Sequence, residues 1–74
     1  MLIRSQDKRT LVNLDNVARI TIEQISNSDY RIGAGYNYIG TYSTEEKAIK
    51  VLDMIQQNYE RRWEVFQMPQ DSEV

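Results

Sequence analysis

The sequence lacks both cysteine and histidine, and its 74 residues include one proline and three glycines. Without cysteine, neither a disulfide nor a thiolate zinc site is available. Without histidine, serine–histidine–aspartate triads, cysteine–histidine pairs and histidine-based metal sites are excluded. No apolar run approaches the roughly 18 residues of a membrane-spanning helix, and the first residues do not resemble a signal peptide. We therefore expect a cytoplasmic protein without a cofactor.

The remaining groups capable of acid–base chemistry are carboxylates, lysines and tyrosines. Glu45 and Glu46 stand together at a predicted helix start, Asp71 and Glu73 lie near the end of the chain, and other aspartates fall in predicted turns. No two acidic groups are predicted to meet in a cleft, so we expect no enzymatic activity. Nine basic and eleven acidic residues give a net charge of −2, which argues against phosphate binding as the main activity.

The clearest structural signal is an amphipathic helix from Ser43 to Trp63. Ser43 and Glu46 fit a capping box, in which each side chain bonds to the other residue's backbone N–H. Apolar residues then recur at helical spacing in one stripe: Ala48, Val51, Leu52, Ile55 and Tyr59, flanked by Ile49 and Trp63. Such a one-sided helix needs a partner surface within the fold.

The segment before the helix predicts that surface as a set of strands. Between Val17 and Ile25, Ala18, Ile20 and Ile22 alternate with polar residues, which is typical of a strand with one buried face. Ile25 is out of phase with Ile22, which predicts a bulge or the end of the strand near Gln24. Neighbouring apolar segments separated by polar turns predict the other strands: Leu2–Ser5, Thr10–Asn13, Tyr30–Gly33 and Tyr38–Tyr42. The predicted fold class is α+β: an antiparallel β-meander of four to five strands packed on one C-terminal α-helix. The helix is expected to cover Ala18, Ile20, Ile22, Ile32 and Ile39.

Residues 64–74 are predicted to extend beyond a domain formed by residues 1–63. Their first part is apolar up to Pro69, and the final residues are acidic and are expected to fray. Aromatic and apolar anchors are common at interfaces, and a short strand can add to a sheet edge. The candidate partner-binding residues are Trp63, Val65, Phe66 and Met68. This segment is expected to pack on its own domain, on a second copy of the chain, or on a foreign protein.

A second hypothesis is nucleic-acid binding by tyrosines and arginines on the sheet. The candidate residues are Arg19, Arg31, Tyr36 and Tyr38, because aromatic and guanidinium groups on an open sheet face can stack on unpaired bases. The alternative is ordinary cross-strand packing, which tyrosine favours. The absence of excess positive charge makes nucleic acid the weaker hypothesis, behind a small non-enzymatic module that self-associates.

Four segments carry a resemblance to short, uncharacterised proteins of Gram-positive bacteria and of their phages and mobile elements. They are Met1–Lys8 (MLIRSQDK), Ile39–Ala48 (IGTYSTEEKA), Val51–Ile55 (VLDMI) and Val65–Pro69 (VFQMP). The match over residues 26–37 is looser. The resemblance implies no known activity and transfers no catalytic residue. It does imply that Val65–Pro69 belongs to the shared pattern and has an ordered role.

Overall fold

The alternating and helical patterns form six strands and one helix in the structure, a computed structural model that describes all 74 residues. The elements are β1 (Leu2–Arg4), β2 (Leu11–Asn13), β3 (Ile20–Ser26), β4 (Asp29–Ala34), β5 (Asn37–Tyr42), α1 (Glu45–Glu60) and β6 (Val65–Gln67). Two 3₁₀ turns occupy Leu14–Asn16 and Asp71–Glu73. The predicted α+β class with a single helix is confirmed.

Strands β3, β4 and β5 form the antiparallel meander predicted from the alternation. Ile20 and Ile22 on β3 face the core, whereas Thr21 and Glu23 are exposed on the outer face. The register shifts between Gln24 and Ser26, as expected from an Ile25 that is out of phase with Ile22. Helix α1 packs on the core face of this sheet.

The first hairpin lies in a second sheet, with strand order β2-β1-β6, rather than continuing the meander. Strand β6 runs parallel to β1 and pairs Ile3 with Phe66. Because the polypeptide passes through the whole meander and α1 before it returns as β6, these partners are far apart in sequence. The prediction of neighbour-with-neighbour pairing could not identify them, since local pairing is only the commonest arrangement.

Residues 64–74 belong to the domain and do not extend from it. Phe66 and Met68 are 6% and 1% exposed and join the same core cluster as Ile3, Ile32 and Val51. The alternation of β6 explains this, because Phe66 faces inward while Val65 and Gln67 are exposed. The predicted boundary after Trp63 therefore does not separate two units of packing.

The C-terminal turn is held against the start of α1, so the predicted fraying is wrong. The backbone N–H and the hydroxyl of Ser43 donate to Asp71 Oδ1 at 2.8 and 3.1 Å. Lys47 Nζ donates to the backbone carbonyl of Asp71 at 3.0 Å. The helix cap also differs by one residue, since Thr44 accepts the bond from the Lys47 N–H at 3.2 Å. Ser43 is thereby free to bind the acidic turn.

Gln6 joins the two sheets and the C-terminal segment. Its backbone N–H donates to the Ile39 carbonyl at 2.7 Å. Its side-chain amide accepts from the Thr41 N–H at 2.9 Å and donates to the Thr41 carbonyl at 3.0 Å, as a neighbouring strand would. The same amide donates to the Pro69 carbonyl at 3.1 Å. One residue in a predicted turn therefore covers part of the outer edge of β5.

The attachment of Asp71 should depend on pH. Hydrogen bonding from the Ser43 backbone, assisted by the Ser43 hydroxyl and Lys47, holds the pKa of Asp71 below its ordinary value of 3.8, against the opposing effect of desolvation. A carboxyl group with a lowered folded-state pKa stabilises the fold fully above its unfolded value and loses that contribution as pH falls through the folded value. We expect Asp71→Asn to lower the melting temperature near neutral pH and the difference from wild type to vanish in strong acid.

Thermal melts followed by circular dichroism between about pH 7 and pH 2 would measure this difference. Asp53→Asn is the matched control, because Asp53 is exposed on α1 and forms no ion pair. A destabilisation by Asp71→Asn that stays constant across the acid range would contradict the assignment.

Candidate interaction surface

The four predicted partner-binding residues divide into two buried and two exposed side chains. Phe66 and Met68 are part of the core, as described above, and cannot contact a partner while the domain is folded. Trp63 and Val65 are 56% and 49% exposed. Trp63 follows the end of α1, and Val65 lies on β6, which is an edge strand of its sheet. Only these two remain candidates for contact with another molecule.

The outer face of the meander carries two of the predicted nucleic-acid-binding residues, Arg31 and Tyr38, in a closed polar network. Arg31 donates to Asp29 through Nε and Nη2 at 3.2 and 2.9 Å. Its guanidinium carbon lies 5.3 Å from the centre of the Tyr38 ring. The Tyr38 hydroxyl donates to Glu23 Oε2 at 2.6 Å, and the Thr41 hydroxyl donates to Asp29 Oδ1 at 2.6 Å. The groups available for base stacking thus already have partners in the chain.

The charges of this network disfavour a nucleic-acid backbone. Hydrogen bonds from Arg31 and Thr41 hold the pKa of Asp29 below its ordinary value, so this carboxylate is ionised at neutral pH. Hydrogen bonding to Glu23 raises the pKa of Tyr38. Two carboxylates therefore accompany the single guanidinium on this face, and negative charge repels phosphate.

The other two residues of that hypothesis, Tyr36 and Arg19, lie away from the network. Tyr36 is fully exposed at the tip of the β4–β5 turn. Arg19 precedes β3 and lines a groove beside α1. The four residues therefore do not form one stacking platform.

This groove lies between the C-terminal half of α1 and the segment that leads into β3. It has a volume of about 600 Å³. Its apolar wall consists of Leu14, Val17, Ala18, Ile20, Leu52, Ile55 and Tyr59, and Ala18, which the helix was expected to cover, is exposed there. Asp15, Arg19 and Gln56 supply its polar margin. The groove exists because α1 leaves Ile20 and Leu14 only partly buried.

One side of α1 continues the groove as a row of exposed and partly buried residues. The row is Ile49, Leu52, Gln56 and Tyr59, which lie on one side of the helix axis because they are spaced three and four residues apart, and it ends at Trp63, which follows the helix after the left-handed Arg62. Ile49 is 44% exposed, and Tyr59 and Trp63 are each 56% exposed. We call this row together with the groove the flank–groove surface.

The predicted apolar stripe of α1 is therefore longer than the part that becomes buried. Ala48, Val51 and Ile55 are buried, whereas Tyr59 at the end of the same stripe is exposed. Tyr59 lies only about 40° from Ile55 around the helix axis but about one turn farther along it, so the difference between them is one of position along the helix. The helical periodicity gave the apolar residues correctly, but it did not show which of them the sheet would leave uncovered.

A second hollow extends the flank–groove surface beyond the end of α1. It has a volume of about 620 Å³ and shares Asp15 and Tyr59 with the groove. Met1 and Trp63 also line it, together with the charged residues Glu60, Arg62 and Glu64. The surface therefore runs from Ile20 to Trp63 and is charged as well as apolar at its Trp63 end.

The β3 edge next to this surface is open. Strand β3 is the outer strand of its sheet, and no backbone N–H between Arg19 and Ser26 donates outside the β3–β4 pair. The one added contact is from the Gln24 side chain to the Ser26 carbonyl at 3.4 Å. By contrast, the opposite edge of the same sheet is partly covered by Gln6. Unpaired backbone groups on an edge strand are a template for pairing with another chain.

Searches against known protein families, curated proteins and solved structures find no match to this chain. The resemblance to short proteins of Gram-positive bacteria and phages accordingly stays a prediction. The structure contains no group of three or more acidic side chains placed to hold a metal ion. None of its helices combines the length and the apolar character needed to cross a bilayer. The flank–groove surface and the open β3 edge are thus the features on which a function can be argued.

The sequence patterns do not identify most of the flank–groove surface. They indicate Trp63 as an interface anchor but assign Leu52 and Tyr59 to the face of α1 that is covered within the fold. The available signal is the spacing of Ile49, Leu52, Gln56 and Tyr59 within α1, which places them on one side of the helix.

Proposed function

We propose that this protein is a small interaction module that self-associates through the flank–groove surface. The observation that carries the proposal is the apolar groove beside α1 and the adjoining hollow with a charged margin, which together expose more than half of two aromatic side chains, Tyr59 and Trp63. Monomeric soluble proteins rarely expose a large contiguous apolar patch, and such patches mark interaction sites. Aromatic residues at the centre of a patch commonly supply most of the binding energy.

A second copy of the chain is the occupant that the surface favours. A two-fold interface uses the same surface on both subunits, so each part must fit another part of itself. Here the aliphatic side chains of Leu14, Val17 and Ile20 line the groove together with Tyr59, and Trp63 lies in the adjoining hollow. A two-fold rotation brings the groove of one copy against the α1 row of its partner. The domain is also small enough that burial of further apolar surface would stabilise it appreciably.

Self-association can be tested by size-exclusion chromatography with multi-angle light scattering over a range of protein concentrations. The wild-type protein is expected to be a dimer whose fraction rises with concentration. Tyr59→Glu is expected to weaken association by about 30-fold, because loss of an interfacial anchor typically costs about 2 kcal/mol or more. The matched control is Tyr36→Glu, which makes the same change at a fully exposed tyrosine outside the surface.

A wild-type protein that stays monomeric at high concentration would contradict self-association, and an equal response of the two tyrosine variants would contradict the surface. Absorbance should be recorded at 260 and 280 nm on protein purified without nuclease. Excess absorbance at 260 nm that is removed by salt would favour the nucleic-acid hypothesis instead, since phosphate contacts weaken steeply as salt rises.

A further inference from the structure

We infer that β3 pairs with β3 of a second copy in antiparallel orientation, about a two-fold axis at Thr21, to form a continuous six-stranded sheet. This inference rests on the proposed self-association and specifies its geometry. Strand β3 is the longest strand of the fold, with seven residues, and contains no proline. Its outer edge is open, and it borders the flank–groove surface through Ile20.

A two-fold axis at Thr21 produces a complementary set of cross-strand pairs. Thr21 faces Thr21 of the second copy, Ile20 faces Ile22, and Arg19 faces Glu23 once β3 is extended by one residue. Directly opposed residues of antiparallel strands lie on the same face of the sheet. The isoleucines therefore meet on the core side beside the groove, and the threonines meet on the outer face. The exposed Arg19 reaches Glu23 of the second copy from the margin of the groove. Threonine pairs and opposite charges are both stabilising in cross-strand positions.

Other registers match less well. An axis at Ile22 places Thr21 opposite Glu23 and Ile20 opposite Gln24, which leaves a core-facing isoleucine against a polar side chain and pairs no opposite charges. A shift by a single residue places core-facing side chains opposite outward-facing ones. The axis at Thr21 is the register that satisfies both faces of the sheet.

The charges of Arg19 and Glu23 support pairing between chains. The ion pairs within the chain are Arg31 with Asp29 and Lys47 with Asp71, so Arg19 has no acidic partner of its own. Glu23 uses Oε2 to accept from the Tyr38 hydroxyl, and its other carboxylate oxygen has no hydrogen bond. Along one strand Arg19 and Glu23 are four residues apart, or about 13 Å, which is too far for an ion pair within a chain.

This pairing and the proposed surface are buried by one and the same interface. Helix α1 covers the core face of the meander, so a two-fold axis through the β3 edge places both helices on the same side of the enlarged sheet. The groove lies on the β3 side of α1, because Ile20 and Leu52 line it together. The two flank–groove surfaces consequently face each other across the axis.

A cysteine at the axis provides a direct test in a chain that has no natural cysteine. Opposed residues of antiparallel strands have Cβ atoms about 4.5–5.5 Å apart, within reach of a disulfide after a small adjustment. Thr21→Cys is expected to give a covalent dimer in high yield on mild oxidation. Ser28→Cys, an equally exposed change in the turn after β3, is expected to give little, because the register separates the two copies of that turn.

A charge exchange tests the register independently. Arg19→Glu and Glu23→Arg are each expected to weaken dimerisation by about tenfold, because each turns the two opposite-charge pairs of the dimer into two like-charge pairs. The double variant is expected to recover dimerisation, because it restores two opposite-charge pairs. Tyr38→Phe is the control for Glu23→Arg, since it removes the Tyr38–Glu23 bond without changing charge.

The outcomes separate this inference from the proposed function. Dimerisation of the wild-type protein and its weakening by Tyr59→Glu would support the flank–groove interface. If, in the same protein, Thr21→Cys does not crosslink above the Ser28→Cys level and the charge exchange shows no recovery, the β3 pairing is wrong and the flank–groove interface stands. A wild-type monomer would overturn both.

Discussion

A chain that ends at Trp63 is expected to be unfolded. The shortened chain loses β6, the core side chains of Phe66 and Met68, and the Asp71 contacts with the start of α1. Removal of one buried phenylalanine side chain already costs about 3–5 kcal/mol. Small domains have a total stability of about 5–15 kcal/mol, so the combined loss exceeds what this fold can tolerate.

Circular dichroism and thermal or urea unfolding would measure this loss. Phe66→Ala is expected to lower the free energy of unfolding by about 3–5 kcal/mol, whereas Val65→Ala, its exposed neighbour on the same strand, should change it by less than about 1 kcal/mol. A cooperative melt of the shortened chain near the wild-type temperature would contradict the role of β6. Deletion of residues 64–74 is for the same reason no test of self-association, because a monomeric result would reflect unfolding.

Replacement of Gln6 by alanine is expected to destabilise the domain by about 1–3 kcal/mol, since each lost hydrogen bond typically contributes about 0.5–1.5 kcal/mol. The side chain makes two bonds to the backbone of Thr41 and one to the Pro69 carbonyl. For a domain of this size, the change corresponds to a fall in melting temperature of about 4–8 °C per kcal/mol. Hydrogen exchange at the Thr41 amide should accelerate, because its acceptor is removed.

Two further variants identify the bonds responsible. Gln6→Glu keeps an acceptor for the Thr41 N–H but cannot donate to the carbonyls of Thr41 and Pro69. We expect it to lower the free energy of unfolding, by no more than Gln6→Ala does. Gln24→Ala removes an exposed glutamine whose only bond is to a nearby carbonyl, and it should have little effect. Equal stability of the Gln6→Ala and Gln24→Ala variants would show that Gln6 does not hold the sheets together.

The parts of the fold that sequence patterns predicted are those specified by local periodicity. The alternation of Ile20 and Ile22, the irregularity at Ile25 and the stripe of Ala48, Val51 and Ile55 all appear in the structure as expected. Each depends on residues that are close in sequence and that respond to the same burial pattern.

The pairing of β1 with β6 could not be predicted in the same way. Three residues, of which only Phe66 faces inward, carry too short a pattern to specify a partner strand. The helix cap illustrates a smaller version of the problem. Ser43 and Thr44 are both good caps, and the choice depends on Asp71, which lies 28 residues later and binds Ser43.

The sequence predicted only part of the candidate surface, because the exposure of a side chain also depends on residues that are distant in sequence. Aromatic composition indicates Trp63, but whether an apolar side chain such as Tyr59 is covered depends on how far along the helix the other elements extend. The tyrosines and arginines of the meander likewise looked available until the structure showed Asp29 and Glu23 beside them. Whether a side chain is free to bind a partner depends on its neighbours in the folded structure, and composition does not specify those neighbours.

The parallel pairing of β1 with β6 also has a consequence for protein synthesis. Leu2 and its partner Val65 are separated by almost the whole chain, and at about 5–20 residues per second the ribosome needs about 3–12 s to make the residues between them. During that interval β1 and β2 form at most an isolated hairpin, which is marginally stable in water. The sheet of β2, β1 and β6 therefore cannot be completed until β6 has been made.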